Sequence, residues 1–423
     1  MRRFGWGLAD QALSSLTNFA LSVMVARSVG GEEFGAYGLA FAAFLLVLNV
    51  SRPIASEPFS IRYSSLRVPD LTAARDAIGT VAAIGFAGAV LTLTAGALLG
   101  GSLGLALVAM AAVLPGVLVQ DAYRLALIAL GRGSAAFRSD LAWVFVLAPL
   151  VVMLVATGNT RFELFILAWG FGGMVGAIAG AIMLGGVPNP RAAGAWWRRH
   201  SSLARPLLVE RLATSSSGQL SQYAIASIGG LKTVGSLRAG EVMLGPLNIL
   251  YQGLQLVALP EVSRRAVLSA GNVVRASALF SGVLAAAVVF WAAVAYSIPA
   301  TIGVTLLGEN WAPGHSVVLI QAVALCGLVI AAGAGIGLRA IERASAVMWI
   351  GLLTSTVTLI AAVIGTIVDG ARGGAAGMAL GAWVGAVAGW SALGSATRGH
   401  PTPHVGGRRP AEAETLPRPE PGP

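Results

Sequence analysis

Charge is scarce in this chain: 11% of its 423 residues are Asp, Glu, Lys or Arg, less than half of the roughly 25% usual in soluble domains. That scarcity excludes a water-soluble globule. It also excludes disorder, since disordered chains are polar and charge-rich. The single cysteine, Cys326, sits in an apolar run and rules out a disulfide framework or a cysteine metal site. The four histidines, His200, His315, His400 and His404, fall in loops or the tail without metal spacing to a second ligand. No metal and no cofactor are expected. Lys232 is the only lysine, and the basic residues behind the net charge of +10 are scattered singly between apolar stretches. A nucleic-acid binder would cluster them on a solvated face, so no nucleic acid is expected as a partner.

What the chain has is apolar length, with 56% hydrophobic residues and 55 glycines. A helix crosses the hydrocarbon layer with about 20 residues. Ala77 to Gln120 holds no charge over more than twice that length, so it must fold back, with Gly100-Gly101-Ser102 as the turn. Further uncharged runs are Leu141–Thr160, Leu164–Pro190, Ala276–Gly308, Ala344–Val368 and Gly373–Thr397. Adding segments with one or two ionisable groups gives an all-α integral membrane protein of about 12 transmembrane helices. The spans read 8–28, 36–55, 77–99, 103–123, 139–157, 164–185, 207–228, 234–258, 277–306, 316–337, 345–368 and 374–396. Met1-Arg2-Arg3 begins like a secretory signal, but Asp10, Gln11 and Asn18 spoil an apolar signal core, so the first segment reads as a permanent helix.

Basic residues collect in cytoplasmic loops. With the N-terminus inside, only Arg27, Arg161, Lys232, Arg238 and Arg372 of the 28 basic residues fall at outer ends. Both termini are therefore expected in the cytoplasm. The near-exclusive use of arginine suggests a GC-rich bacterial source, and the expected location of the multi-pass chain is the bacterial inner membrane.

The sequence is doubled. Leu21-Ser22 followed by Ser28-Val29-Gly30-Gly31 and Gly35 returns as Leu220-Ser221 followed by Ser227-Ile228-Gly229-Gly230 and Gly235. At the same offset Gln11, Leu13 and Ser15 pair with Glu210, Leu212 and Thr214. Six helices is an even number, so the two six-helix bundles form a parallel pseudo-repeat. The expected units are 1–185 and 207–396, a cytoplasmic linker at 186–206 and a disordered cytoplasmic tail at 397–423. Trp196-Trp197-Arg198-Arg199 in the linker suits an interfacial segment.

The first loop, Gly30-Gly31-Glu32-Glu33-Phe34-Gly35-Ala36-Tyr37, resembles that of polysaccharide flippases of the MATE-like MOP superfamily, the O-antigen translocase (Wzx) type. Ala26-Arg27 before Gly30, and Asn49-x-x-Arg52 before Ala55-x-Glu57-x-Phe59-Ser60, are similar to the first two helices of the lipid II flippase branch. The second half departs from that branch: Glu241 stands where a basic residue is expected, five positions before Pro246. The resemblance implies a V-shaped pair of bundles, not an enzyme, that moves an undecaprenyl-pyrophosphate-linked oligosaccharide from the inner to the outer leaflet. It implies as partners the lipid-linked oligosaccharide and membrane lipids, alongside the glycosyltransferases and polymerase of polysaccharide synthesis. In the same fold, a cation-coupled multidrug exporter is the rival reading, with Asp10, Glu210 or Glu241 taking the ion.

Ionisable groups within spans face a partner or a wet cavity. Helix eight carries Arg238, Glu241, Gly245, Asn248, Gln252 and Gln255 on one face, with Arg238 and Glu241 spaced to pair and Pro246 as a bend. Arg211, Ser215, Gly218 and Gln222 line helix seven, while Gln11, Ser15, Asn18 and Ser22 line helix one. Helix two adds Asn49, Arg52, Ser56 and Ser60, with Pro53 as a kink. Arginine matches phosphate oxygens bidentately. Arg52 and Arg211 near the inner end, with Arg238 and Arg27 near the outer end, are the candidates to pass a pyrophosphate across. The expected cavity set is Arg52, Arg211, Arg238, Glu241, Asn248, Gln252, Arg27 and Asn18. Asp121 with Arg124, Arg138 with Asp140, and Arg339 with Glu342 and Arg343 are expected as solvated pairs at helix ends.

Overall fold

The structure is a computed structural model that describes residues 2–64, 70–247, 250, 251, 262 and 270–398. Among the described residues there are helices and short connections and no strand. The first half holds α1 (Arg2–Ser28), α2 (Gly31–Ser51), α3 (Glu57–Tyr63), α4 (Leu71–Leu99), α5 (Gly101–Ala129), α6 (Gly133–Ala156) and α7 (Phe162–Leu184). The second holds α8 (Ala193–Ser215), α9 (Ser217–Met243), α10 (Ala270–Ser297), α11 (Ala300–Leu307), α12 (Trp311–Ala340) and α13 (Ala344–Arg398). Among the described residues, eight helical segments are long and apolar enough to cross a membrane. The chain is an all-α membrane fold.

Several breaks fall where the backbone chemistry requires them. Gly100 and Gly101 take φ of +64° and +58°, a left-handed turn that reverses the chain between α4 and α5. Gly230, at φ +77°, breaks α9 into two legs. Asp369 and Gly370 do the same for α13. At Pro53 the ring cannot continue the helical hydrogen bonding, and α2 passes into α3 through a π-helical turn at Arg52–Ser56. α9 ends at Met243, and Leu244 turns before the helical residues 245–247 that hold Pro246. The tail from 399 onward lies outside the described residues, and Thr397 and Arg398 belong to α13.

The linker departs from expectation. It turns into α8 and docks on the first half, where Trp196 is fully buried rather than interfacial. The reason lies in the π-helical turn, where the Trp196 indole N–H donates to the Ile54 carbonyl at 3.0 Å. Asn189 and Arg199 both bond Asp76, at 3.0 and 3.2 Å. Tyr123 donates to the Gly186 carbonyl at 2.8 Å.

Candidate functional site

We call the end that carries most arginines the basic end. At that end the first half pairs several buried charges with one another. Arg52 donates through two nitrogens to both oxygens of Asp121, at 2.8 and 2.6 Å. Arg124 bonds Asp10 at 2.6 Å and lies 3.4 Å from Asp140. Gln120 donates to Asp140 at 2.6 Å. Asp10, Asp121 and Asp140 are all buried, so the solvated pairs expected for Asp121 with Arg124 and Arg138 with Asp140 are not formed. Burial explains the choice: a carboxylate out of water needs a partner that is also out of water, and Arg138 is exposed.

At the opposite end the halves close on bare backbone. A Cβ at Gly35 would run into the Leu231 carbonyl, and one at Gly235 into the Gly31 carbonyl. Asn310 donates to the carbonyls of Ala26 and Val29, at 2.7 and 2.8 Å. At the basic end the ties between halves are polar. Arg211 pairs with Glu57 of the first half, and Asn49 donates to Ser216 at 3.5 Å.

A cavity of about 840 Å³ lies within the second half, between α8, α9, α12 and α13. Arg211, Ser215, Glu241, Gln321 and Arg339 line it with the hydroxyls of Thr354, Ser355 and Thr358, and residues such as Leu325, Ile350 and Met378 supply apolar surface. Arg339 is 43% exposed and pairs with Glu210 at 3.3 Å instead of with Glu342. Glu241 pairs with Arg238 at 3.0 Å and accepts from Gln222 at 3.4 Å. The Gln321 amide donates to the Leu237 carbonyl at 2.8 Å, while its buried oxygen has no hydrogen-bond partner. The cavity runs from Arg211 of α8 to Glu241 of α9 and Gln321 of α12.

Among the described residues no group of three His, Cys, Asp or Glu could hold a metal.

No protein-family profile and no curated protein matches the chain. Solved structures do. An inward-facing multidrug resistance MATE family transporter of the MOP superfamily aligns with a TM-score of 0.65 at 14% identity, over 92% of this chain and 94% of its own. The lipid II flippase MurJ in an inward closed conformation aligns with a TM-score of 0.68 at 11% identity, over 92% and 87%. A MOP superfamily transporter from Pyrococcus furiosus aligns with a TM-score of 0.54 at 14% identity, over 94% and 95%. The chain shares their fold.

On that fold the candidate residues separate. Arg211 and Glu241 line the cavity. Arg238 lies against Gly38 of α2 and reaches Glu241. Arg52 belongs to the π-helical turn of the first half and is bound to Asp121. Asn18 accepts from the Trp169 indole at 3.1 Å, and Arg27 is exposed at the opposite end. Asn248 and Gln252 lie outside the described residues. Gln321 and Arg339 of the cavity wall, and Glu57 at the tie, were not among the sequence candidates. Gln321 stands in a long apolar run in the middle of α12, a signal that could have found it.

Proposed function

We propose that the chain is a flippase that carries an undecaprenyl-pyrophosphate-linked oligosaccharide from the cytoplasmic to the outer leaflet of the bacterial inner membrane. It works by alternating access between bundles at 1–185 and 207–396, with both termini cytoplasmic. The observation that carries this reading is the cavity of about 840 Å³, with two arginines, Arg211 and Arg339, at its basic end and an apolar wall behind them. Small-molecule sites run about 300–1,000 Å³, so the cavity has room for a charged headgroup and its first sugars. The polyprenyl tail stays in lipid. Relatives in fold that are named as a flippase and as transporters agree with such a role.

Glu241 in the cavity wall favours one rival, a cation-coupled multidrug exporter. The two part in one experiment. Cells depleted of the protein are assayed for lipid-linked saccharide leaflet by leaflet and for efflux of a cationic dye. The flippase reading expects saccharide to accumulate on the cytoplasmic leaflet with dye efflux unchanged. Unchanged saccharide with lost efflux overturns it.

A further inference from the structure

The arginines of the two halves differ in how firmly their counter-ions hold them. In the first half Arg52 has both carboxylate oxygens of Asp121, and Arg124 lies between Asp10 and Asp140 with a side chain only 12% exposed. Releasing either one strands a buried charge. Around the cavity the pairs are half-solvated. Arg211 and Glu57 are 36% and 24% exposed, and Arg339 and Glu210 are 43% each. Pairs in that setting are worth little, so their carboxylates can be exchanged for another anion.

Both half-solvated arginines border the same cavity, and one of the two carboxylates belongs to the other half of the molecule. We propose that Arg211 and Arg339 form an exchangeable clamp for a phosphate or pyrophosphate group, with Glu57 and Glu210 as its resting counter-ions. The incoming anion displaces both glutamates. Because Glu57–Arg211 ties the halves at the basic end, filling the clamp also unties them, so loading and release of the basic-end contact are one event. Arg238 does not share this role, since its partner Glu241 sits three residues away on the same helix and joins nothing across the halves. The clamp's coupling to transport rests on the flippase reading, while its anion chemistry does not.

The test uses the full chain purified into lipid nanodiscs. Binding is measured by titration with inorganic pyrophosphate, with undecaprenyl pyrophosphate, and with undecaprenol, which has the tail but no headgroup. The clamp expects both pyrophosphates to bind and undecaprenol to bind at least tenfold more weakly than undecaprenyl pyrophosphate. A free-phosphate site would show equal affinity for the first two, and a lipid headgroup site would favour the lipid form. In either case E57Q and E210Q should each tighten binding by about fivefold, the size of a lost half-exposed competing pair, whereas R211Q with R339Q should abolish it. A merely structural glutamate would loosen binding when removed. Unchanged or weaker binding in both glutamine variants, or unchanged binding in the double arginine variant, overturns the clamp.

The untying has its own readout. With Cys326 replaced by serine, spin labels at the exposed Ile61 and Val209 flank the tie from either half. Saturating undecaprenyl pyrophosphate should lengthen the distance between them, as should E57Q without ligand. Binding without any change in distance overturns the coupling. If the clamp binds and unties but depleted cells still translocate the lipid-linked saccharide, the flippase reading fails and the clamp stands. If translocation is lost on depletion but survives in the R211Q and R339Q double variant, the clamp fails and the flippase reading stands.

Discussion

Arg52 and Asp121 meet at two points, with the guanidinium donating at 2.8 and 2.6 Å to the two oxygens of one carboxylate. The pair joins the π-helical turn after α2 to α5, and Asp121 is buried. Removing one partner leaves the other charged and desolvated, a loss of about 3–5 kcal/mol for buried pairs. The 30% exposure of Arg52 puts it at the lower end. Asp121→Asn should therefore lower thermal stability in detergent markedly, while the double replacement by leucines should recover much of the loss. A double variant no more stable than Asp121→Asn would sink the pairing argument.

Arg124 is the hub of the neighbouring cluster, 2.6 Å from Asp10 and 3.4 Å from Asp140. Asp10→Asn keeps Arg124 satisfied by Asp140 and removes one of two like charges, so its effect should stay near 1 kcal/mol or below. Arg124→Gln leaves two buried carboxylates together and should cost about 3–5 kcal/mol. Adding Asp10→Asn to Arg124→Gln should then raise the melting temperature relative to Arg124→Gln alone. Additive losses would show that the carboxylates do not repel one another.

These clusters mark the limit of what the chain discloses as a string. Spans are legible because a bilayer demands about 20 apolar residues in a row. The Gly100-Gly101 turn is legible because glycine suits its positive φ, and the break in helical hydrogen bonding at Pro53 because the ring has no N–H to donate. The Arg238–Glu241 pair is legible too, since i and i+3 share a helix face. For Asp121 the same rule points to Arg124, and the structure chooses Arg52, 69 residues away. Local spacing ranks near partners, whereas burial decides among distant ones. Likewise Trp196 reads as interfacial until the Ile54 carbonyl beneath it is known. Glu57 and Arg211 each read as polar marks on separate helices, and only the packing of the halves makes them a tie.

The contact at the end opposite the basic one depends on two glycines having no side chain. A methyl group at Gly35 would meet the Leu231 carbonyl, which is backbone and cannot swing aside. Gly35→Ala should therefore part the halves there and favour the state open at that end. The check is a cysteine at Val234, which is 2% exposed, in a chain with Cys326 replaced. With both termini cytoplasmic, as proposed, that end faces out, so a membrane-impermeant thiol reagent added from outside the cell should label it in Gly35→Ala and spare it in the parent. Equal labelling would mean that the glycine packing is not the closure.

The docked linker should respond to pH. His200 is buried, stacked on Trp196 at 3.8 Å, with Nδ1 donating to the Trp196 carbonyl at 3.0 Å and Nε2 accepting from the Tyr63 hydroxyl at 3.2 Å. Burial, and then the nearby Arg62 and Arg199, hold the imidazole below its ordinary 6.5, although the bond to the Trp196 carbonyl pulls the other way. The unfolded chain therefore takes up this proton first. Between the depressed value and 6.5 the folded state binds fewer protons, so stability rises with pH through that window and is lost as pH falls below 6.5. Each unit of depression is worth about 1.4 kcal/mol at most. His200→Gln keeps a donor and an acceptor and cannot titrate. Its melting temperature should fall less than the parent's between pH 7.5 and pH 5, with every other titrating group common to both. Parallel slopes would remove His200 from the acid response and leave the carboxylates to account for it.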